Sequence, residues 1–355
     1  MKIILSFLLF VLALTFNVQS QSNCFNDSIE TYLQYLKQNN KSPETYIAEK
    51  FQQHDIVIVG EIHQKKEYCE LISKVIESTP INYFASEFIK TSNTDKINEI
   101  VTAKEFNRDN AIDVFRDYTW PTWGFEEYLS IIQSVWKVNS TIKDKKRQIK
   151  IIGLDSEWSQ YENMCGENKP TETMFKQNLD REKNMVDAVK VKYSNGIKIL
   201  VHIGFAHTFY KFKPRFATEL YSEFNNKVFQ VCLHQQFEGD FSKMTLSKDI
   251  EMIMAANNNT PVGFDVENSP FAKINDSSCY YFKVPQQQSL SDIAMGYVFI
   301  KPFSQLRIVT WIPNFINEQN FDKAKCVSLK MGFIKSEPQS IKEFNDFMSM
   351  YFKGK

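Results

Sequence analysis

The chain of 355 residues has no excess of either charge: 42 Lys and Arg stand against 42 Asp and Glu. Proteins that track nucleic-acid phosphates carry a basic patch or surplus, so this balance argues against nucleic acid as a partner. Lysines cluster only locally, as in KDKKRQIK at 143–150, which reads as the solvated end of a helix ahead of a strand. The six cysteines form no Cys-x-x-Cys pair, which removes a zinc ribbon or dithiol redox motif. Neither a His-Glu-x-x-His zincin helix nor a Gly-x-Ser-x-Gly nucleophile elbow is present. There is no repeat of solenoid period and no low-complexity linker. Beyond the N-terminus, no apolar stretch is long enough to span a bilayer.

The N-terminus is distinctive. MKIILSFLLFVLALTFNVQSQ places Lys2 before an apolar stretch from Ile3 to Phe16, then Val18-Gln19-Ser20. This pattern predicts a signal peptide over residues 1–20, cleaved after Ser20, and a secreted or extracytoplasmic protein with no stable membrane span. Export permits disulfides. Cys24, Cys165, Cys279 and Cys326 lie in polar surroundings and are the expected disulfide candidates, whereas Cys69 and Cys232 lie in apolar patterns and read as core thiols. Five Asn-x-Ser/Thr sequons begin at Asn26, Asn40, Asn139, Asn258 and Asn275.

Five apolar runs read as buried strands: 55–61, 81–88, 148–157, 197–205 and 227–235. Runs apolar on both alternations suit a parallel sheet covered on both faces. Helical patterns separate them. Tyr68, Leu71, Ile72, Val75 and Ile76 fall on one helix face, and 125–142 and 172–194 read as two further helices. The expected fold is α/β, a mostly parallel sheet with helices on both faces and a less regular C-terminal extension. Along the chain, 21–50 reads as a helical lead-in, 51–240 as the core, and 241–355 as an extension of the same domain. Within the last, GYVFIKPFSQLRIVTWIPNF (296–315) predicts one or two more strands.

In open parallel sheets, ligands bind beyond the carboxyl ends of the strands. Here those ends carry chemistry: Gly60-Glu61-Ile62-His63, then Ser86-Glu87, then Asp155 and Glu157, then His202 and Gly204-Phe205-Ala206-His207. Glu61 and His63 share a face if the backbone stays extended, and Glu67, four residues past His63, is placed to reach the same rim. His63 and His207 with Glu61 and Glu87 make a reasonable set for a divalent transition metal such as Zn, Mn or Co, a leftover carboxylate acting as base on bound water. Asp155, Glu157 and Glu67 are lower-ranked candidates. His202, inside an apolar run, reads as a histidine that orients a partner, while His54 and His234 read as structural or surface. The loop RDYTWPTWGFEEY (116–128) offers Tyr118, Trp120 and Trp123 as an aromatic wall or a packed corner. Arg116 in it would meet an anionic substrate group or a site carboxylate.

The paired Gly-x-x-His motifs, with a glutamate ending the second strand, resemble the superfamily of TIKI-type proteases, ChaN-like haem-binding proteins and erythromycin esterases. The match covers most of residues 50–235, and VGEIH is most similar to the Gly-Glu-x-His form of the ChaN-like branch. By that resemblance Gly60–His63, Glu87 and Gly204–His207 take the site positions. The leading expectation is an exported metal-dependent hydrolase of peptidase or esterase type, acting on a small molecule or peptide. The resemblance also implies two alternatives: a haem carrier with His63 on the iron, and a metal-free His/Glu esterase.

Overall fold

The computed structural model describes residues 28–118, 120–155, 165, 172–209, 211, 215–234, 246–276 and 288–353. The expected signal peptide, Cys24, Glu157 and Cys279 lie outside them.

All five apolar runs form strands: β1 (Ile56–Glu61), β2 (Tyr83–Lys90), β3 (Lys150–Asp155), β4 (Ile199–Gly204) and β5 (Val228–Leu233). They are apolar on both alternations because both faces are covered. Val57 and Val59 pack into one core with Leu71 and Ile72 of the helix Lys66–Ser78 and Ile132 of the helix Glu126–Thr141. Ile56 and Ile58 pack into the other with Val189 of the helix Glu172–Lys192 and Leu220 of the helix Phe216–Phe224. In chain order the helices are α1 (Ile29–Gln38), α2 (Pro43–Lys50), α3 (Lys66–Ser78), α4 (Thr94–Val101), α5 (Arg108–Arg116), α6 (Glu126–Thr141), α7 (Glu172–Lys192) and α8 (Phe216–Phe224).

The C-terminal third adds two strands to the same sheet. β6 (Val262–Asp265) lies antiparallel to β9 (Gly296–Phe299), which pairs parallel with β5. Between them Asn275–Asp276 and Gln288–Ser289, β7 and β8, form a separate two-stranded pair. The seven-stranded order is β3-β2-β4-β1-β5-β9-β6. Only β9 comes from the stretch 296–315. The rest of that stretch is a strap: Val309 N–H donates to Gln64 O and Lys66 N–H to Arg307 O, while Glu126 N–H donates to Thr310 O. It ties the turn after β1 to the start of α6. Cys165 and Cys326 form a disulfide, and Cys69 and Cys232 are buried free thiols.

β3 is an edge strand, and an edge presents unpaired backbone groups that invite another strand. Here side chains close it. Asn139 of α6 bonds both backbone groups of Ile149, accepting from its N–H at 2.7 Å and donating to its carbonyl at 2.9 Å. Asn98 of α4 repeats this on Ile151, at 2.8 Å each way. Thr94 then accepts from Gly153 N–H, and Thr91 donates to the carbonyl of Asp155. Two asparagines and two threonines thus replace a neighbouring strand. Asn139 is buried with its amide nitrogen committed, so the sequon there is closed to glycosylation in the folded protein.

Asn139→Ala is expected to destabilise the fold by about 1–3 kcal/mol for each buried backbone group it leaves unpaired. Urea unfolding measures this; an unchanged midpoint would show that the edge does not depend on these bonds.

Candidate functional site

Glu61 ends the central strand β1 with its carboxylate fully out of water. Three side chains meet it. The Tyr128 hydroxyl of α6 donates to Oε1, His202 Nε2 of β4 lies 2.8 Å from Oε2, and His63 Nδ1 lies 3.2 Å from Oε1. Burial alone would push this carboxyl up, but His202 and then His63 outweigh it and hold Glu61 below the ordinary carboxylate range. His202 Nδ1 is buried with no partner among the described residues. A proton there would be an unsatisfied donor, so the network fits the tautomer that gives Nε2–H to Glu61. His63 likewise donates Nδ1–H to Glu61, which leaves Nε2 as its acceptor nitrogen.

The backbone around His63 is held under strain. Gln64 sits at φ +68°, a left-handed conformation that costs a non-glycine residue roughly 1–3 kcal/mol. Its N–H donates to the Tyr128 hydroxyl at 3.0 Å, and its carbonyl accepts from Val309 in the strap. Tyr128 therefore fixes both the carboxylate and the turn that follows it.

The His63 ring stands edge-to-face with Phe88 and Trp123, centroids 5.4 and 5.2 Å away, while its side chain stays 39% exposed. It also packs on Gly204. A Cβ there would lie 2.9 Å from His63 Nε2 and 3.1 Å from Glu87 Oε2. Glycine is what allows the approach. It places Nε2 and the Glu87 carboxylate within about 6 Å of each other.

Glu87 lies where the β2–β3 register slips, between Ser86 and Lys90, an irregularity that re-aims a side chain. Its Oε2 accepts from Gly204 N–H at 2.6 Å. Its Oε1 accepts from Arg181 Nη2 at 2.8 Å and lies 3.3 Å from His207 Nε2. Arg181 also donates Nε–H to Asp155 at 2.8 Å and stands 3.0 Å from His207 Nε2 through Nη1. On the far side of that ring, Nδ1 lies 2.5 Å from Glu182, which accepts in turn from Phe216 N–H and Arg215. Burial would raise the Glu87 carboxyl, but His207 first and Arg181 next hold it well below the usual range. Burial would lower His207, but Glu87 and then Glu182 carry its pKa from 6.5 up to about 9.

The strand ends therefore bring together Glu61, His63, Glu87, Asp155, His202 and His207. The expected metal set does not fit a divalent ion in this arrangement. Glu87 has both oxygens engaged, and His207 has both nitrogens engaged. Among the described residues, no group of three His, Cys, Asp or Glu is disposed to hold a metal. Glu67 does not reach the rim: Lys301 and Arg307 of the C-terminal third claim its carboxylate at 2.9 and 2.8 Å. Arg116 meets no site carboxylate; it donates to the carbonyls of Asn314 and Phe315 and to Asp113. Trp123 borders His63, whereas Trp120 packs on Phe333. His54 bonds the Asn226 carbonyl, and buried His234 lies between Tyr297 and Glu251.

Sequence reasoning missed Tyr128, Arg181 and Glu182. Tyr128 gave no signal beyond an aromatic in a helix. Glu182 did give one: Glu182, Met185, Val186 and Val189 run at i, i+3, i+4 and i+7, so α7 carries a carboxylate in its buried stripe.

The shifts fix a pH dependence. His207 is raised, so its contribution to stability is complete below 6.5 and lost as pH climbs through about 9. Glu61, Glu87 and Glu182 are depressed below 4.5, so theirs is present above 4.5 and lost as pH falls through the lowered values. Thermal melts should show the midpoint falling between pH 6.5 and 9, and His207→Gln should flatten that limb. An unchanged alkaline limb in the variant would refute the assignment.

No known family profile matches the chain, and no curated protein matches it in sequence. Among solved structures, a Bacillus cereus protein matches with a TM-score of 0.51 and 9% identity, over 79% of this chain and 100% of that one. A succinoglycan biosynthesis protein matches with a TM-score of 0.47 and 12% identity, over 71% of this chain and 91% of that one. ChaN of Campylobacter jejuni, in a structure showing cofacial heme binding, gives a TM-score of 0.35 and 16% identity, over 56% of this chain and 88% of that one. At these identities what is shared is the fold.

Proposed function

We propose that this chain is an exported acyl hydrolase, of esterase or peptidase type, in which His63 is the general base. One observation carries the reading: a fully buried, ionised Glu61 bonded to Nδ1 of a half-exposed imidazole, with Nε2 left as acceptor. Nε2 takes a proton from water as the oxygen attacks the acyl carbon, and returns it to the leaving group as the tetrahedral intermediate collapses. Glu61 remains a carboxylate throughout and stabilises the imidazolium. Glu87, within about 6 Å of Nε2, is placed to accept the second hydrogen of that water. Phe88 and Trp123 wall the apolar side. Among the alternatives implied by resemblance, this favours the metal-free His/Glu esterase over a metal-dependent enzyme.

The haem-carrier alternative would put iron on His63. The Cε1–Nε2 edge of that ring faces Gly204 and the Glu87 carboxylate rather than an apolar planar slot, which does not suit an axial ligand. Export follows from the signal-like N-terminus. It agrees with the Cys165–Cys326 disulfide and with the finding that no described helix is long and apolar enough to cross a membrane.

The test is a screen of small esters and peptides on the secreted protein after EDTA dialysis. Turnover should survive the chelator, and His63→Ala should lower kcat by about 10²–10⁴-fold with KM little changed. Activity that vanishes on dialysis and returns with zinc would overturn the metal-free reading. A Soret band on haem titration, with no turnover of any substrate, would replace the hydrolase by the carrier.

A further inference from the structure

The acidic strand ends are organised around a cation that belongs to the chain. Asp155 Oδ1 and Glu87 Oε1 each lie 2.8 Å from an N–H nitrogen of Arg181, and His207 Nε2 lies 3.0 Å from a third. The guanidinium is thus flanked on all three of its nitrogens by side chains of the kinds that ligate divalent metals. Its own side chain is 16% exposed, and it comes from α7, a different element from any of the strands it bridges.

We propose that Arg181 is the resident cation of this cluster, occupying the place between Glu87, Asp155 and His207 that a divalent ion would otherwise take. The cluster is then a latent metal site closed by a guanidinium, and removing the guanidinium opens it.

Charge and geometry both support this. Glu87, Asp155 and Glu182 bring three carboxylates to one buried spot, and Arg181 is the cation that two of them share. Deleting one partner of a buried ion pair leaves uncompensated charge, which drives uptake of another cation or loss of the fold. Arg181 is suited to the task because its planar fork is permanently charged and engages two carboxylates at once. The spacing fits a metal as well. Glu87 Oε1 and His207 Nε2 lie 3.3 Å apart. That is the edge of a tetrahedron with metal–ligand bonds of about 2.0 Å. Asp155, freed of the guanidinium, needs only to close on that pair, with Glu182 behind His207.

The proposal goes beyond the hydrolase reading, and its readout is metal uptake rather than turnover, so the two fail separately. The probe is Co2+ alone, titrated into protein purified without chelator or immobilised nickel and followed by visible absorption and thermal shift. Wild type should show no tetrahedral cobalt spectrum. Arg181→Ala should take up one equivalent, develop that spectrum, and gain melting temperature as Co2+ rises. Adding His207→Ala to that variant should abolish both effects. A stoichiometric cobalt spectrum in wild type that Glu87→Gln removes would overturn the proposal, because the site would then be open with Arg181 in place. So would a folded Arg181→Ala that binds nothing. If Arg181→Ala does not fold alone, refolding it with and without Co2+ decides. Native circular dichroism recovered only with the metal supports a latent site. Failure in both conditions, together with a folded Arg181→Gln that gains no cobalt, refutes it.

Discussion

Glu61 carries a charge at the end of the central strand where no water can solvate it. An isolated carboxylate in that position would be prohibitive, so its surroundings must supply donors. Tyr128, His202 and His63 supply them. Each answer constrains something else. Tyr128 comes from α6, which fixes that helix over the strand ends. His202 comes from β4, whose register sets it beside Ser86 on one side and Val59 on the other. His63 comes from the turn after β1, which must hold Gln64 left-handed to bring the ring back.

The C-terminal third then has a physical task. The segment 307–312 bonds to the strained turn at Gln64 and Lys66 and to the start of α6 at Gly124 and Glu126. Buried Glu67, drawn to Arg307 and Lys301, and Glu127, accepting from Thr310, lock the same segment down. These are the two elements that frame Glu61. The strap braces the His63 turn from outside rather than adding a side chain to the chemistry.

Much of this was legible in the sequence, and the illegible parts share a cause. Strand runs and Gly-x-x-His ends could be read because a covered parallel sheet demands continuous apolar residues that stop where the ligand edge begins. Gly204 was readable as a point of close approach, and the structure shows what approaches it. β6 was hidden because its four residues sit in a stretch rich in Asn, Gly and Pro, where local composition speaks for a loop and only pairing with β9 makes a strand. Arg181 was hidden because a charge in a long charged helix looks solvated until the helix is packed against the strand ends. The spacing of Glu67 from His63 was sound helical geometry, but Arg307, 240 residues away, claims the carboxylate. Arg116 failed likewise, through Phe315 and Asn314. Tertiary partners decided these cases, and short-range pattern does not encode them.

The central claim is that Glu61 sets His63 with its proton on Nδ1 and its lone pair on Nε2. Long-range nitrogen–carbon NMR on imidazole-labelled protein reads this tautomer directly, at a pH where the ring is uncharged. The account predicts the Nδ1–H tautomer for His63, reverting to a mixture dominated by Nε2–H in Glu61→Gln. An Nε2–H signal for His63 in the wild-type protein would contradict it.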